Sequence, residues 1–193
     1  MLFRSNGLIR RLVSFERAAE CVPLADRERI QRLMEAFGRV ARRDLRVYLV
    51  DGATAVLFGW RPTTIDVDLV TRPEDDALLR AIPGLKEELR INVELASPLD
   101  FIPVPPGWED RGTFISQTGR VGFFHFDLYA QALAKVERGH PQDLADVQEM
   151  IARKLMDRDR ALEYFARMEP ELYRFPAIDA PSFRQAVEEA FGS

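Results

Sequence analysis

Thr64-Ile65-Asp66-Val67-Asp68-Leu69 is a run in which two carboxylates alternate with apolar residues. Successive side chains of a β-strand point to opposite faces of the sheet. The run therefore predicts a strand with Asp66 and Asp68 on one face, and with Ile65, Val67 and Leu69 in the core. Two carboxylates about 6–7 Å apart along one strand face can bind one or two hard cations. Because Mg²⁺ prefers oxygen ligands, we expect a Mg²⁺ or Mn²⁺ site here.

The residues before this run predict a strand, a turn of small residues and a short helix. Residues 47–50 are apolar and β-branched, as in a short buried strand. Asp51-Gly52 is a turn signal, and residues 53–58 have a helical pattern that Gly59 ends. A helix N-terminus made of small residues offers free backbone N–H groups to an anion. The segment therefore predicts a phosphate-binding turn beside the cation site.

The whole chain predicts an α+β fold, in which a small mixed β-sheet lies between helical segments. An N-terminal helical pattern covers residues 8–43, in one or two pieces around Pro23, and a further helix should begin at Pro73 and be interrupted at Pro83-Gly84. Further strands are expected at residues 91–95, 114–115 and 121–126, and helices at 128–138, 142–156, 158–167 and 181–191. We divide the chain into an N-terminal helical segment (1–45), an α/β core (46–127) and a C-terminal helical part (128–193).

Composition indicates an ordinary globular protein of 193 residues with a net charge of −4. No apolar run approaches the ~18 residues of a transmembrane helix, and we expect no membrane association. The single cysteine, Cys21, excludes an intramolecular disulfide and suits the cytoplasm, where we expect it to be a buried apolar residue. Four arginines at positions 39, 42, 43 and 46 form either a solvated helix end or a local basic patch for RNA.

Two motifs make the chain resemble the DNA polymerase β-like nucleotidyltransferase superfamily. Its small members have a strand that ends in a glycine turn, then a helix, then Asp-x-Asp on the next strand. More narrowly, residues 45–150 resemble the bacterial AbiEii-like and toxin-type nucleotidyltransferases and related uncharacterised proteins. The first motif is matched by Arg61, Thr64, Asp66 and Asp68, and the second by Lys135, Arg138, Asp143 and Asp146.

The resemblance implies a metal-dependent enzyme that transfers a nucleoside monophosphate from a nucleoside triphosphate to a hydroxyl of RNA, protein or a small molecule. It implies a toxin–antitoxin role, with an antitoxin partner. The implied catalytic residues are Asp66, Asp68, Glu94 and Lys135, of which the first three would bind the metal. The implied nucleotide-binding residues are Gly52, Ala53, Thr54, Arg61, Thr64, Arg138, Asp143 and Asp146.

Several of these residues have a second interpretation. Glu94 alternates with Val93 and Leu95, so it is either the third metal carboxylate or part of a solvated strand face, with Asp100 as the other candidate. Lys135 could be a solvated surface lysine, and the two aspartates of the second motif could complement a helix dipole. Arg61 either contacts phosphate or fixes its loop by a bidentate pair with a carboxylate.

Asp51 stands where the family turn has a glycine. A carboxylate there adds negative charge beside a triphosphate, which favours an alternative function. In that alternative the chain is a catalytically weak or inactive nucleotidyltransferase fold that binds a nucleotide or a partner protein. We expect His125 to be structural and Trp108 to anchor a loop.

Overall fold

The computed structural model describes residues 24–192 and has the α+β fold that the sequence predicts. Its strands are β1 (Ala25–Asp26), β2 (Leu45–Val50), β3 (Thr63–Thr64), β4 (Asp66–Arg72), β5 (Asn92–Glu94), β6 (Thr113–Thr118) and β7 (Val121–His125). Its helices are α1 (Arg27–Val40), α2 (Asp51–Phe58), α3 (Asp76–Leu89), α4 (Leu128–Arg138), α5 (Pro141–Ala152), α6 (Arg158–Met168) and α7 (Ala180–Phe191). Cys21 and the part of the predicted first helix before residue 24 lie outside the described residues.

Five strands form one mixed sheet in the order β5-β4-β2-β7-β6. The central strand β2 runs antiparallel to β4 and parallel to β7, and β5 runs parallel to β4. The hairpin of β6 and β7 confirms the strand pair predicted on either side of Thr118-Gly119. β1 and β3 form a separate two-stranded sheet.

Both faces of β2 are buried from Val47 onward, which explains the continuous apolar sequence of residues 47–50. Val47 and Leu49 belong to a hydrophobic cluster that includes residues of α1 and α3. Tyr48 and Val50 belong to a second cluster, which the C-terminal helices complete. The strand thus fixes Asp51, the first residue after it, between the sheet and the C-terminal helices. The three-part domain division remains a prediction.

Ile65 is the one apolar residue of the run from Thr64 to Leu69 that does not lie in the core. Val67 and Leu69 are fully buried, as predicted, but Ile65 is 56% exposed. β4 begins at Asp66, so Ile65 lies in the connection between β3 and β4, where the strand alternation does not apply.

The predicted start and interruption of α3 are both wrong. Asp75, not Pro73, sets the start: its carboxylate accepts a hydrogen bond from the Leu78 N–H at 2.9 Å. The helix continues through Pro83-Gly84 because Ile82 and Leu85 are buried, while Pro83 and Gly84 lie on the exposed side. Tertiary packing therefore outweighs the loss of one backbone hydrogen bond at the proline.

Helix α5 ends four residues earlier than predicted, at Ala152. Lys154 has a left-handed conformation (φ 58°), and the Leu155 N–H reaches the Met150 carbonyl at 3.0 Å. This is a Schellman-type ending, which usually uses glycine. The lysine at that position gave no sequence signal for it.

No helix among the described residues combines the length and the apolar character needed to span a membrane.

Candidate functional site

Strands β4 and β5 bring three predicted carboxylates to one cleft. The parallel register pairs Asp68 with Glu94, and Asp66 with Asn92. Asp66, Asp68 and Glu94 line the cleft, and so do Asp51, Lys135 and Arg138 on its other side. The structure therefore brings five of the predicted site residues, together with Asp51, around one opening, and Glu94 rather than Asp100 lies there beside Asp66 and Asp68.

The clustering of acids changes the protonation of Asp68. Burial and, to a smaller extent, the negative charges of Asp51, Asp66 and Glu94 together raise the pKa of its carboxyl to about 7, against a smaller opposing effect of Arg138. Burial and repulsion both disfavour an ionised carboxylate. A cation in the cleft would relieve this repulsion, so the charge distribution fits a metal site.

Asn92 is a residue of this cleft edge that our sequence analysis missed. Its side-chain amide donates to Asp66 at 2.5 Å and to Glu94 at 3.1 Å, and so bridges the two carboxylates. The signal was present in the sequence, because Asn92 alternates with Val93 and shares the strand face of Glu94.

Asp100, the other candidate for the third carboxylate, has a different role. It lies in a short 3₁₀ turn (Pro98–Asp100) and accepts a hydrogen bond from the Ser97 N–H at 2.8 Å. It forms a capping box with Ser97 and does not line the cleft with the other acids.

Lys135 is buried at the centre of an ion-pair network and is not a surface lysine. Its side chain is 1% exposed, and its ammonium donates to Asp143 at 3.0 Å, to Asp146 at 2.8 Å and to Asp51. Burial alone would lower the pKa of Lys135, but Asp51 and Asp146 outweigh it and raise the pKa. The lysine is therefore charged, and α4 and α5 are joined through it.

Arg138, one turn further along α4, extends the network. Its guanidinium donates to Asp51 at 2.6 Å and to both oxygens of Asp143 at 3.0 Å. Burial opposes the charge of Arg138, but hydrogen bonding and the nearby acids raise its pKa further above its usual range. Arg138 and Lys135 in turn lower the pKa of Asp143, although burial alone would raise it.

Arg61 fixes its loop by a bidentate pair, the second of its two predicted interpretations. Its Nε and Nη2 atoms donate to the two oxygens of buried Asp146 at 2.8 and 2.5 Å. The indole N–H of Trp60 donates to the same carboxylate at 3.0 Å. Asp146 therefore links the α2–β3 connection to α5. These contacts go beyond the alternative interpretation of Asp146, in which it only complements the dipole of its helix.

Asp51 has a left-handed backbone conformation of the kind that favours glycine, with φ 51°. Its N–H donates to the side chain of Gln131 at 2.7 Å, and its carboxylate pairs with Lys135 and Arg138. Aspartate tolerates this left-handed region better than most residues. The Asp51 carboxylate therefore pairs with the two cations for which we predicted contacts to phosphate. The sequence indicated the charge of Asp51 but neither these partners nor Gln131.

The remaining turn residues lie behind the cleft. Gly52 packs so closely on Thr64 that an added Cβ would lie 1.9 Å from the Thr64 hydroxyl oxygen. Ala53 is buried, and the buried Thr54 hydroxyl donates to the Leu49 carbonyl at 3.1 Å. Roles for Gly52, Ala53, Thr54, Arg61, Thr64, Asp143 and Asp146 in contacting nucleotide remain predictions.

The structural expectations for His125 and Trp108 are confirmed. His125 is buried, contacts Thr54 at 3.2 Å and stacks on Phe58, and burial lowers its pKa to about 4. Trp108 is buried against Tyr48 and Phe126.

Two of the four arginines at positions 39, 42, 43 and 46 form ion pairs. Arg43 pairs with Asp75 at 3.1 Å, and Arg46 lies 3.8 Å from Asp110.

Two acidic sets are candidates for holding a cation. Within the described part of the chain, only Asp51, Asp143 and Asp146 have oxygens that all lie within 4.8 Å of one another. Those oxygens already surround the Lys135 ammonium, which would repel a metal ion. The oxygens of Asp66, Asp68 and Glu94 do not all lie within that distance of one another, but in the described part of the chain no lysine or arginine forms a salt bridge with them. They supply hard oxygen ligands at an open cleft, so they remain our predicted metal ligands.

The comparisons with known proteins agree with this site at the level of the family. Neither the curated proteins nor the solved structures include a significant match to this chain. One family profile, described as "Nucleotidyltransferase of unknown function (DUF6036)", matches residues 28–174. The match spans α1 to the end of α6 and contains every residue of the cleft. The chain therefore belongs to this nucleotidyltransferase family.

Proposed function

We propose that the protein is a metal-dependent nucleotidyltransferase that transfers a nucleoside monophosphate from a nucleoside triphosphate to a hydroxyl group. The observation that carries this proposal is the trio of Asp66, Asp68 and Glu94 on adjacent strands, facing Lys135 and Arg138 across one cleft. Family membership gives the reaction class. The raised pKa of Asp68 supports it, because the cleft holds more negative charge than its own cations balance.

Asp66, Asp68 and Glu94 would hold the divalent cation, Mg²⁺ or Mn²⁺. Bound there, it would activate the acceptor hydroxyl and neutralise charge that develops on the phosphates. The protein's own contribution is to fix the carboxylates on a rigid sheet. Asn92 orients two of them through its bridging amide.

The proposed transfer forms one bond and breaks another. The acceptor oxygen attacks the α-phosphorus, the bond to the β-phosphate oxygen breaks, and pyrophosphate leaves. The hydroxyl proton passes to a carboxylate of the cleft. Lys135 and Arg138 are placed to balance the negative charge of the phosphates, provided that Asp51 releases them.

The acceptor that we propose is a hydroxyl of RNA, a protein side chain or a small molecule. The resemblance to toxin-type enzymes favours a macromolecular acceptor and an antitoxin partner in the cytoplasm. These finer assignments rest on sequence resemblance alone.

Labelling tests the proposal. The protein is incubated with each α-³²P-labelled nucleoside triphosphate, Mg²⁺ or Mn²⁺, and total RNA or protein lysate as acceptor. We expect one acceptor class to gain label in a metal-dependent way, and we expect Asp68→Asn to abolish the labelling. Asp76→Asn on α3, an exposed aspartate outside the cleft, is the matched control and should keep it. Failure to label with any nucleotide, together with no metal-dependent nucleotide binding, would contradict the proposal.

The pairing of Asp51 supports a second candidate, a nucleotide- or protein-binding module without turnover. Asp51 pairs with both Lys135 and Arg138, so a triphosphate that uses these two cations must displace it. Nucleotide binding without any labelled acceptor, unchanged in Asp68→Asn, would favour this module over the enzyme.

A further inference from the structure

Phe101 is an exposed aromatic residue on the wall of the cleft. Its side chain is 49% exposed, and it lines the cleft with the carboxylates. Among the described residues it belongs to neither hydrophobic cluster, and no other described aromatic ring stacks on it. The half-exposed phenyl ring therefore leaves one face open toward the cleft, where a ligand could pack on it.

The backbone around Phe101 is held firmly. Phe101 follows the 3₁₀ turn Pro98–Asp100 and donates its N–H to the Pro98 carbonyl at 3.1 Å. Pro98 and the next residue, Ile102, are buried, and Ser97 and Asp100 close the turn as a capping box. The ring is therefore presented to the cleft by an anchored turn, not by a loose loop.

The cleft has two chemically different parts. Strands β4 and β5 and helices α2 and α4 supply its charged residues. The segment after β5 supplies small or apolar residues that also line it: Ala96, Pro98 and Phe101. A nucleotide has the same division, since its phosphates are charged and its base is a flat aromatic ring.

We propose that Phe101 is the stacking platform for the base of the nucleotide, with the phosphates at the carboxylate and cation side of the cleft. This inference rests on the proposed function of the same site. Stacking on an aromatic ring tolerates every base, and larger rings gain more from it. Purine triphosphates should therefore bind more tightly than pyrimidine triphosphates.

Binding measurements by titration calorimetry, with Mg²⁺, test this role. The ligands are ATP and inorganic tripolyphosphate, which has the phosphates but no base. In Phe101→Ala we expect ATP affinity to fall about 5- to 150-fold, the range for loss of one stacked base. Tripolyphosphate affinity should be unchanged.

Two further variants make the result specific. Phe114→Ala removes another exposed phenyl ring (59% exposed, against 49% for Phe101) that lines a separate groove, and it should leave both affinities unchanged. Phe101→Trp should keep ATP affinity, and its added indole fluorescence should fall with ATP but not with tripolyphosphate.

The outcomes separate this inference from the proposed function. If the unmodified protein binds ATP and Phe101→Ala binds it equally well, or loses both ligands equally, the base platform is wrong while the nucleotide site stands. If the unmodified protein binds neither ligand with Mg²⁺, the proposed function and this inference both fall.

Discussion

Asp51 shows how one residue can change the use of a site. It adopts a left-handed backbone conformation, and its carboxylate pairs with Lys135 and Arg138. From the sequence we expected this carboxylate to repel a triphosphate. Since it holds the two cations that we propose for the phosphates, it would also compete with the phosphates for them.

We therefore expect Asp51→Gly to raise triphosphate affinity. Loss of a hydrogen bond to a charged group changes free energies by about 1–3 kcal/mol, or roughly 5- to 150-fold in affinity. The gain should be largest for triphosphates and smallest for nucleosides, because the competition is for phosphate contacts. Titration calorimetry measures both, and Asp51→Asn, which keeps the shape without the charge, should show most of the gain. Equal affinities in all three proteins would make Asp51 a neutral turn residue, and lower activity in the glycine variant would make it a metal ligand.

Asp68 should make the metal-free protein sensitive to pH. Its pKa rises from 3.8 in the ordinary carboxyl to about 7 in the fold, so the folded state holds this proton more tightly than the unfolded state. The free energy of unfolding should consequently fall as pH rises from about 4 to about 7. The loss is at most about 4 kcal/mol, since one pKa unit corresponds to about 1.4 kcal/mol.

Asp68→Asn should remove this dependence and should raise the melting temperature at pH 8 without metal. Denaturant unfolding between pH 4 and 8 in a chelating buffer measures it. Asp76→Asn, at the exposed start of α3, should keep the slope of the unmodified protein. A large loss of stability in Asp68→Asn would mean that Asp68 is structural.

At the scale of elements, α4 and α5 are joined by buried charges. Lys135 on α4 is almost completely buried against Asp143 and Asp146 of α5, and Asp146 also holds Arg61. A charge left in such a site without its partner is costly. The network thus fixes the helices that face the carboxylate strands.

The Lys135→Ala variant should therefore have a lower free energy of unfolding than the unmodified protein, whether or not it also binds nucleotide less tightly. Removing one partner of a buried ion pair typically costs about 3–5 kcal/mol. Denaturant unfolding measures the change, and Lys86→Ala, which removes a partly exposed lysine of α3, should cost far less. A stability equal to that of the unmodified protein would show that the acids of α5 do not depend on Lys135.

The contact between Gly52 and Thr64 joins α2 to β3. A Cβ on Gly52 would overlap the Thr64 hydroxyl, whereas one on Gly84 in α3 would meet nothing within 4 Å. We expect Gly52→Ala to lower the free energy of unfolding by about 1–3 kcal/mol through overpacking. Gly84→Ala should raise it by about 0.5–1 kcal/mol through helix propensity. Denaturant unfolding measures the change in the free energy of unfolding for both variants. A Gly52→Ala variant as stable as the unmodified protein would show that α2 can shift to relieve the overlap.

Local patterns in the sequence predicted the fold well where they depend on alternation or helical periodicity. The carboxylate strand, the hairpin of β6 and β7 and the start of α4 are of this kind. The errors lie where distant contacts decide. Helix α3 continues past Pro83 because its neighbours Ile82 and Leu85 are buried, and α5 ends shortly before Lys154, which has a left-handed conformation.

The same distinction applies to the candidate site. The alternation of residues 91–95 identified Glu94, because its face follows from the strand alone. The pairing of Asp51 with Lys135 depends on residues 84 positions apart, which local sequence cannot predict. Burial of Lys135 depends equally on how α4 packs between the sheet and the C-terminal helices.

For the whole molecule, the sheet holds three carboxylates opposite two helical cations in one cleft, within a chain that belongs to a nucleotidyltransferase family. The central claim is that Asp66, Asp68 and Glu94 form a divalent-cation site that serves a nucleotide. The proposed transferase activity depends on that cation.

Titration of the protein with Mn²⁺, followed by electron paramagnetic resonance with and without ATP, tests this claim most directly. We predict that the unmodified protein and Asp76→Asn bind Mn²⁺, that ATP tightens the binding, and that Asp68→Asn loses it without loss of fold. Equal Mn²⁺ binding by the unmodified protein and Asp68→Asn, or no binding by either, would contradict the account.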